Sequence, residues 1–125
     1  MRDWDAIDAL SEIFAEVPDL VLAFTADGRY LYVNATAAVF LGAEPIDVVG
    51  YHWRELGYPA EVMLPFTSRV EKVATSGAAE HYRFTSSSER GRRTFDASLT
   101  PLWSTDGNLL AVLAICHDIS EFFER

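Results

Sequence analysis

The sequence has one cysteine, few basic residues and no long apolar run, and each scarcity excludes a class of protein. Because Cys116 is the only cysteine among 125 residues, no disulfide can form within the chain. Ten Lys and Arg against 19 Asp and Glu give a net charge of −9, which disfavours nucleic-acid binding. No stretch approaches the roughly 20 apolar residues that span a membrane, and no signal-peptide core follows Met1. These absences predict a cytoplasmic protein with no nucleic-acid partner and no membrane contact in this segment.

Sequence signatures of catalysis are also missing. The chain contains no Gly-x-Ser-x-Gly, no P-loop and no Gly-x-Gly-x-x-Gly. His117 and Asp118 are neighbours, but adjacent residues of a strand point to opposite faces and cannot act as a dyad. The His, Cys and acidic residues show no spacing typical of a metal site. We therefore expect neither an enzyme nor a metal protein.

Residues 3–17 have the spacing of an amphipathic helix, which Pro18 should end. An acidic face lies opposite an apolar stripe formed by Trp4, Ile7, Leu10, Phe14 and Val17. Two interpretations stay open. The helix packs on its own domain, or its stripe pairs with a second copy of the chain or with a neighbouring domain.

Short strands and helices alternate along the rest of the chain, separated by turns marked by Gly and Pro. The longest helix, 59–76, contains Pro65, which should distort its first turn or mark the start of its regular part. Strands are predicted at 20–25, 30–33, 80–87, 93–103 and 109–118, and shorter helices at 35–41, 45–49 and 51–57. Hairpins on either side of a helical insert predict an α+β fold, with one antiparallel sheet and helices on one face.

The stretch Leu109–Asp118, which reads LLAVLAICHD, is the most apolar of the predicted strands. Its eight consecutive apolar residues predict a strand buried on both faces, because an edge strand would alternate apolar and polar residues. We therefore place it centrally, between the first strand and the strand that precedes it. It leads at once into a helix start, so a change in the core has a route out of the domain.

Five motifs in this order resemble the PAS domain family, and together they span 20–121. They are the turn, strand and helix of 26–42 (ADGRYLYVNATAAVFLG), Val48-Val49-Gly50, Thr75-Ser76-Gly77, Pro101-Leu102 with Asp106-Gly107, and His117-Asp118-Ile119-Ser120-Glu121, which is similar to Asp-Ile-Thr-Glu. The resemblance implies a five-stranded antiparallel sheet and a cavity between the sheet and two helices. It divides the chain into an N-terminal helix, 1–18, a PAS core, 19–119, and the start of an output helix, 120–125.

The PAS resemblance also implies a class of function. Such domains are sensory or signal-relay modules, usually of a histidine kinase, a cyclic-dinucleotide enzyme or a transcription regulator. A homodimer and an output domain in the same polypeptide are implied partners. The fold does not fix a ligand. A small-molecule sensor, a ligand-free dimerisation or docking module and a haem-based redox or gas sensor therefore stay as alternatives.

A small-molecule site would lie in the cavity that the resemblance implies. Strand alternation and helix spacing nominate its lining: Trp53, Val62, Phe66, Val70, Tyr82, Phe84, Phe95, Ala97, Leu99, Val112 and Ala114. The alternative is that these side chains simply fill the core. The many large aromatic residues favour filling, whereas the alanines leave some room.

Cofactor chemistry has weaker support. Flavin-binding light sensors of the family carry Gly-x-Asn-Cys-Arg-Phe-Leu-Gln, whereas 50–56 reads GYHWREL and Cys116 is interpreted as an ordinary buried thiol. The segment 59–76 contains no His, which removes the commonest haem arrangement and leaves His52 as the one candidate axial ligand. We therefore expect neither a photoactive flavin nor haem.

Several polar residues have structural interpretations. Asn34 is predicted to cap the helix that follows it. Asp118, Ile119 and Ser120 form the junction with the outgoing helix, where Ser120 can serve as cap and an acid suits the helix dipole. In the family this junction transmits the signal. A solvated hairpin tip is predicted for the three arginines Arg90, Arg92 and Arg93.

Overall fold

The fold is a single five-stranded antiparallel sheet with helices on both faces. The computed structural model describes residues 3–88 and 91–122, and the side chains of 8–87 and 91–122. The strands, in the spatial order β2-β1-β5-β4-β3, are β1 (Leu20–Phe24), β2 (Tyr30–Val33), β3 (Glu80–Ser88), β4 (Gly91–Trp103) and β5 (Leu109–Asp118). The helices are α1 (Asp3–Phe14), α2 (Ala35–Leu41), α3 (Pro45–Val48), α4 (Trp53–Leu56) and α5 (Ala60–Ser76), and a 3-10 turn covers Ser120–Phe122. The predicted α+β class is confirmed.

Strand β5 occupies the centre of the sheet, as its composition predicts. It pairs with β1 on one side and with β4 on the other. Val112 and Ala114 are buried on the face that α5 covers, whereas Ala111 and Leu113 are buried on the opposite face. Both faces of the strand are therefore in apolar surroundings, and its middle residues 111–114 are buried.

The two faces of the sheet carry separate hydrophobic clusters. Helices α2 to α5 cover the larger cluster, which holds Phe24, Phe66 and Phe95. Helix α1 covers the smaller one, where Leu10 packs against Val21, Ala23, Tyr32 and Leu113.

Helix α1 ends at Phe14, three residues before the predicted end at Val17. In a longer helix the Phe14 carbonyl would accept from the backbone nitrogen of Pro18, which has no hydrogen to donate. The carbonyl instead accepts a hydrogen bond from the side-chain amide of Asn34, at 3.1 Å. The proline therefore ends the helix one turn upstream of itself.

Helix α5 begins at Ala60 and continues through Pro65, so its regular part does not start at that proline. Pro65 and Glu61 are both exposed, and water can solvate the carbonyl that the missing N–H leaves without a helical partner. The β3–β4 ladder is also longer than predicted. Its register extends from Glu80↔Leu99 to Ser88↔Gly91, so Gly91 and Arg92 belong to β4.

Candidate functional site

The residues nominated as a ligand cavity lie together on the helix-covered face of the sheet. Val112 and Ala114 of β5 share this face with the nominated residues of β4. The Phe84 ring contacts both the Phe66 ring, with centroids 5.6 Å apart, and the Phe95 ring, with centroids 5.3 Å apart. The other members are placed around these rings: Trp53, Val62, Val70, Tyr82, Ala97 and Leu99.

Little empty space remains inside this cluster. The internal cavity has a volume of about 40 Å³, against roughly 300–1,000 Å³ for typical ligand sites. Among the nominated residues, Val62, Phe66 and Phe84 line it. The rest of its wall is apolar and comes from Leu20, Leu22, Phe24, Tyr30, Phe40, Leu41 and Met63. Among the described residues, the side chains around this cavity leave no room for a ligand of ordinary size.

Two nominated aromatic residues carry polar groups into the core. The Trp53 indole N–H donates a hydrogen bond to Thr67 Oγ1 at 3.2 Å, so this ring anchors α4 to α5. The Tyr82 hydroxyl is buried without a hydrogen-bond partner among the described residues, and burial raises its pKa. The Arg69 guanidinium lies 4.2 Å from the centre of the Tyr82 ring and closes the outer side of the cluster.

His52 is the N-cap of α4. Its Nδ1 accepts from the backbone N–H of Arg54 at 3.2 Å, and Glu55 accepts from the backbone N–H of His52 at 2.9 Å. Glu55 also pairs with Arg29 at 2.6 Å, which ties this helix to the β1–β2 turn. The described lining of the internal cavity does not include His52. The capping box and its ion pair were not predicted, although Glu55 lies at the spacing of a capping box.

Cys116 belongs to the helix-side core, as an ordinary buried thiol would, and burial raises its pKa to about 12. Within residues 3–88 and 91–122, no group of three or more His, Cys, Asp or Glu side chains is arranged to hold a metal ion. None of the described helices is both long and apolar enough to cross a membrane.

Asn34 caps α2 as predicted, and it also ties this helix to two other parts of the chain. Its Oδ1 accepts from the backbone N–H of Ala37 at 2.9 Å and of Val21 at 3.1 Å. Its Nδ2 donates to the carbonyls of Phe14 at 3.1 Å and Asp19 at 2.9 Å. The residue is only 2% exposed. One buried amide therefore joins α1, β1 and α2.

The predicted relay residues form a compact polar junction where β5 ends. Asp118 Oδ1 accepts from the backbone N–H of Ser120 at 2.9 Å, and Ser120 Oγ accepts from the backbone N–H of Thr94 at 2.8 Å. Between them, buried Ile119 donates its N–H to the Thr94 carbonyl at 2.8 Å. The chain leaving β5 is thus fixed against β4. Residues 123–125 of the predicted output helix lie outside the described residues.

Arg93 completes this junction, and its prediction as part of a solvated hairpin tip is wrong. Its Nε and Nη2 donate to Asp118 Oδ2 at 2.9 and 2.7 Å. The strand register explains the pairing, because Phe95 lies opposite Asp118 and Arg93 is two residues further along the same face. Arg92 is exposed on β4, and Arg90 lies outside the described residues.

The pKa of Asp118 lies below its ordinary value. Partial burial raises it, but the hydrogen bonds from Ser120 and the charge and hydrogen bonds of Arg93 together outweigh that effect. The carboxylate is therefore ionised at neutral pH, and it can accept from both partners at once.

A second ion pair lies near this junction and was not predicted. His117 Nδ1 and Asp19 Oδ1 are 2.7 Å apart, which links the end of β5 to the start of β1. The hydrogen bond to Asp19 raises the pKa of His117. Since the two residues are far apart in sequence, only the β1–β5 pairing could have indicated the contact.

The stripe of α1 is only partly accounted for by packing within the chain. Leu10 is buried against the sheet, and Phe14 and Val17 are partly buried beside it. The side chains of Trp4 and Ile7 lie outside the described residues. Ile13, on another side of the helix, is 65% exposed.

A family model described as PAS fold matches residues 14–124. The chain belongs to the PAS family. The resemblance predicted from the five motifs is thereby confirmed. No curated protein matches the chain.

Solved structures show the same PAS fold at low sequence identity. The PAS domain of Bordetella pertussis BvgS is 17% identical with a TM-score of 0.78, and the match covers 95% of this chain and 92% of that one. The PAS domain of the histidine kinase ThkA is 20% identical with a TM-score of 0.65, over 80% and 99%. Vibrio cholerae VqmA is 15% identical with a TM-score of 0.77, over 93% and 52%, so the chain spans about half of VqmA.

Proposed function

We propose that the chain is a signal-relay module of a multidomain signalling protein and that its output leaves through Asp118 and Ser120. The junction at the end of β5 carries this proposal. It joins the central strand of the sheet to the outgoing backbone through an ionised and partly exposed side chain. The module acts by conformational coupling rather than by catalysis.

The relatives support an output of the signalling kind. ThkA is a histidine kinase, and VqmA is a dimer that has a target DNA and that has also been solved bound to DPO. A kinase or a transcription regulator is therefore the class of protein in which we expect this module to act.

The relay requires two states of the junction. In the state described here, Asp118 accepts from Arg93 and Ser120 together. A signal that weakens either contact loosens the hold of Asp118 on the outgoing backbone. Any ligand or partner acts only through the difference between its affinities for the two states.

The test is a chimera in which the chain replaces the sensor domain of a histidine kinase, with autophosphorylation as the readout. We expect Asp118→Asn and Ser120→Ala to change basal output several-fold, because each removes one contact of the junction. Asp96→Asn is the matched control, since Asp96 lies on the same sheet but its carboxylate pairs with Arg83 and not with a junction residue.

Unchanged output in both junction variants, with thermal unfolding showing that they are folded, would contradict the relay. A change of the same size in Asp96→Asn would show a general effect of surface charge.

A second candidate function, a ligand-free dimerisation or docking module, has its own supporting observations. The internal cavity of about 40 Å³ is apolar and far below ligand size. Helix α1 presents Ile13 to solvent while its neighbour Leu10 is buried in the same chain. An exposed Ile beside an apolar stripe is suited to contact a second copy of α1.

The dimer is tested by replacing Ile13 rather than by deleting α1. Deletion would also remove the Phe14 carbonyl that Asn34 binds and would uncover Tyr32. We expect Ile13→Glu to convert a dimer to a monomer in light scattering, with Ile46→Glu, another exposed Ile, as control. Native mass spectrometry and an absorbance spectrum of the same samples report any bound ligand. A dimer that persists in Ile13→Glu excludes this contact.

A further inference from the structure

A groove of about 320 Å³ opens beside the junction, on the helix-covered side of the sheet. It lies between α2 and the strand ends that hold Arg93 and Asp118. Its volume falls at the lower end of the range for small-molecule sites, roughly 300–1,000 Å³. It is much larger than the internal cavity, with which it shares Leu20 and Phe40 in its lining.

The walls of the groove are mostly apolar, with Thr36 as a polar member, and its end is charged. Leu20, Phe40 and Phe95 form the inner wall, and Val39, which is 60% exposed, forms the outer lip. The Phe40 and Phe95 rings meet edge to face at 5.1 Å, which gives the wall a fixed shape. A mostly apolar surface with one charged pair is typical of a site that orients a small amphipathic molecule.

The charged end holds a guanidinium that a carboxylate ligand can bind in place of Asp118. Arg93 directs both Nε and Nη2 at a single oxygen of Asp118, because the other oxygen accepts from Ser120. A guanidinium binds a carboxylate best through two parallel hydrogen bonds to its two oxygens. The Arg93 and Asp118 side chains are 39% and 34% exposed, so solvent and solutes reach the pair and exchange of partners is inexpensive.

We propose that this groove binds a small monocarboxylate with an apolar body, whose carboxylate pairs with Arg93 in place of Asp118. The apolar body lies along Phe40 and Phe95. The net charge of −9 disfavours multiply charged anions, so a single carboxylate is the acid that the site accepts.

The exchange also has a consequence for signalling, and that consequence alone rests on the proposed relay. Arg93 is one of the two partners that hold Asp118. A ligand that takes Arg93 therefore leaves the carboxylate with its contact to Ser120 and loosens the junction.

Binding is tested on the intact chain with hexanoate, followed by two-dimensional amide NMR. Hexanamide is the control, because it has the same body without the charge. We expect hexanoate to shift the amide signals of Thr94, Ser120 and Val39, and hexanamide to bind at least about tenfold more weakly. Equal shifts with both compounds, or no shift with hexanoate, would overturn the proposal.

Two variants locate the site independently. Arg93→Gln should weaken hexanoate binding at least about tenfold, whereas Arg83→Gln should not change it. Val39→Glu blocks the lip and repels the ligand without altering the junction, since Val39 is on the surface of α2. Wild-type affinity in both Arg93→Gln and Val39→Glu would place the ligand elsewhere and overturn the proposal.

The kinase chimera separates the two proposals. Hexanoate that binds but leaves kinase output unchanged would count against the relay and not against the site. Output that responds to Asp118→Asn, in a chain that does not bind hexanoate, would count against the site alone.

Discussion

Asn34 and Asp118 are two hubs, meaning polar residues whose hydrogen bonds join several elements of the fold. They differ in charge and exposure. Each receives or donates hydrogen bonds from elements that are distant in sequence. Asn34 is neutral and 2% exposed, whereas the Asp118 side chain is ionised and 34% exposed. The buried amide has no replacement partners, since water does not reach it. The exposed carboxylate can exchange its partners with solvent or with a ligand.

This difference separates a structural hub from an adjustable one. Breaking the Asn34 contacts leaves buried backbone groups without partners, so the whole folded state is destabilised. Breaking the Asp118 contacts exposes groups that water can satisfy, so the fold survives and only the junction changes. A regulatory role therefore suits Asp118 and not Asn34.

The sharpest test of this comparison is Asn34→Ala. We expect a loss of about 3 kcal/mol in the free energy of unfolding, from the lost helix cap and from buried N–H and carbonyl groups left without partners. Urea unfolding measures it. Asn108→Ala, in an exposed turn, is the matched control and should change stability little. A loss at Asn34 no larger than that at Asn108 would contradict the structural hub.

Ser120→Ala tests the most buried part of the junction. Ser120 is 3% exposed and its oxygen accepts from Thr94, so we expect a loss of about 1.5 kcal/mol in urea unfolding. Ser120→Thr should restore most of the stability, because Thr keeps the hydroxyl. Ser68→Ala, on the exposed side of α5, should have almost no effect. A failure of Thr to rescue would argue that shape rather than the hydrogen bond matters at this position.

Asp118→Asn should have a smaller effect with a definite pH dependence. The lowered pKa of Asp118 stabilises the fold above its ordinary value of 3.8, and this contribution is lost as pH falls through the folded-state pKa. Since the pair is about one third exposed, we expect less than about 1 kcal/mol between wild type and variant at neutral pH. The difference in the free energy of unfolding between wild type and variant should disappear at acidic pH. A difference in stability that is independent of pH would show that the charge of Asp118 is not its cause.

The fold could be predicted almost completely from the sequence, because its signals are local or periodic. The apolar run of β5 indicated its central place, and the turn at Gly28 and the cap at Asn34 marked the first hairpin and α2. The predicted end of α1 was wrong because a distant group intervenes. Pro18 and Asn34 together end α1 at Phe14, and neither residue shows that partnership in the sequence.

The candidate site was predicted in part. Asp118, Ile119 and Ser120 could be named from the junction motif, but Arg93 could not, because its pairing depends on the exact register of β4 against β5. The cavity residues were placed on the right face, yet side-chain volume decides whether a cavity is left. Periodicity identifies which face is buried and says nothing of how tightly the rings pack.

The smallest expected effect concerns His117, which extends the comparison to a second charged contact of β5. The hydrogen bond and charge of Asp19 raise the pKa of His117 above its ordinary 6.5, so the pair stabilises the fold below that pH. The contribution is lost as pH rises through the raised pKa. We expect wild type to melt slightly above His117→Gln at about pH 5.5 and equally at about pH 9. His81→Gln, at an exposed position of β3, is the control. If Asp19→Asn leaves the NMR titration of His117 unchanged, the pair does not form in solution, and the Arg93–Asp118 pair holds the end of β5 without it.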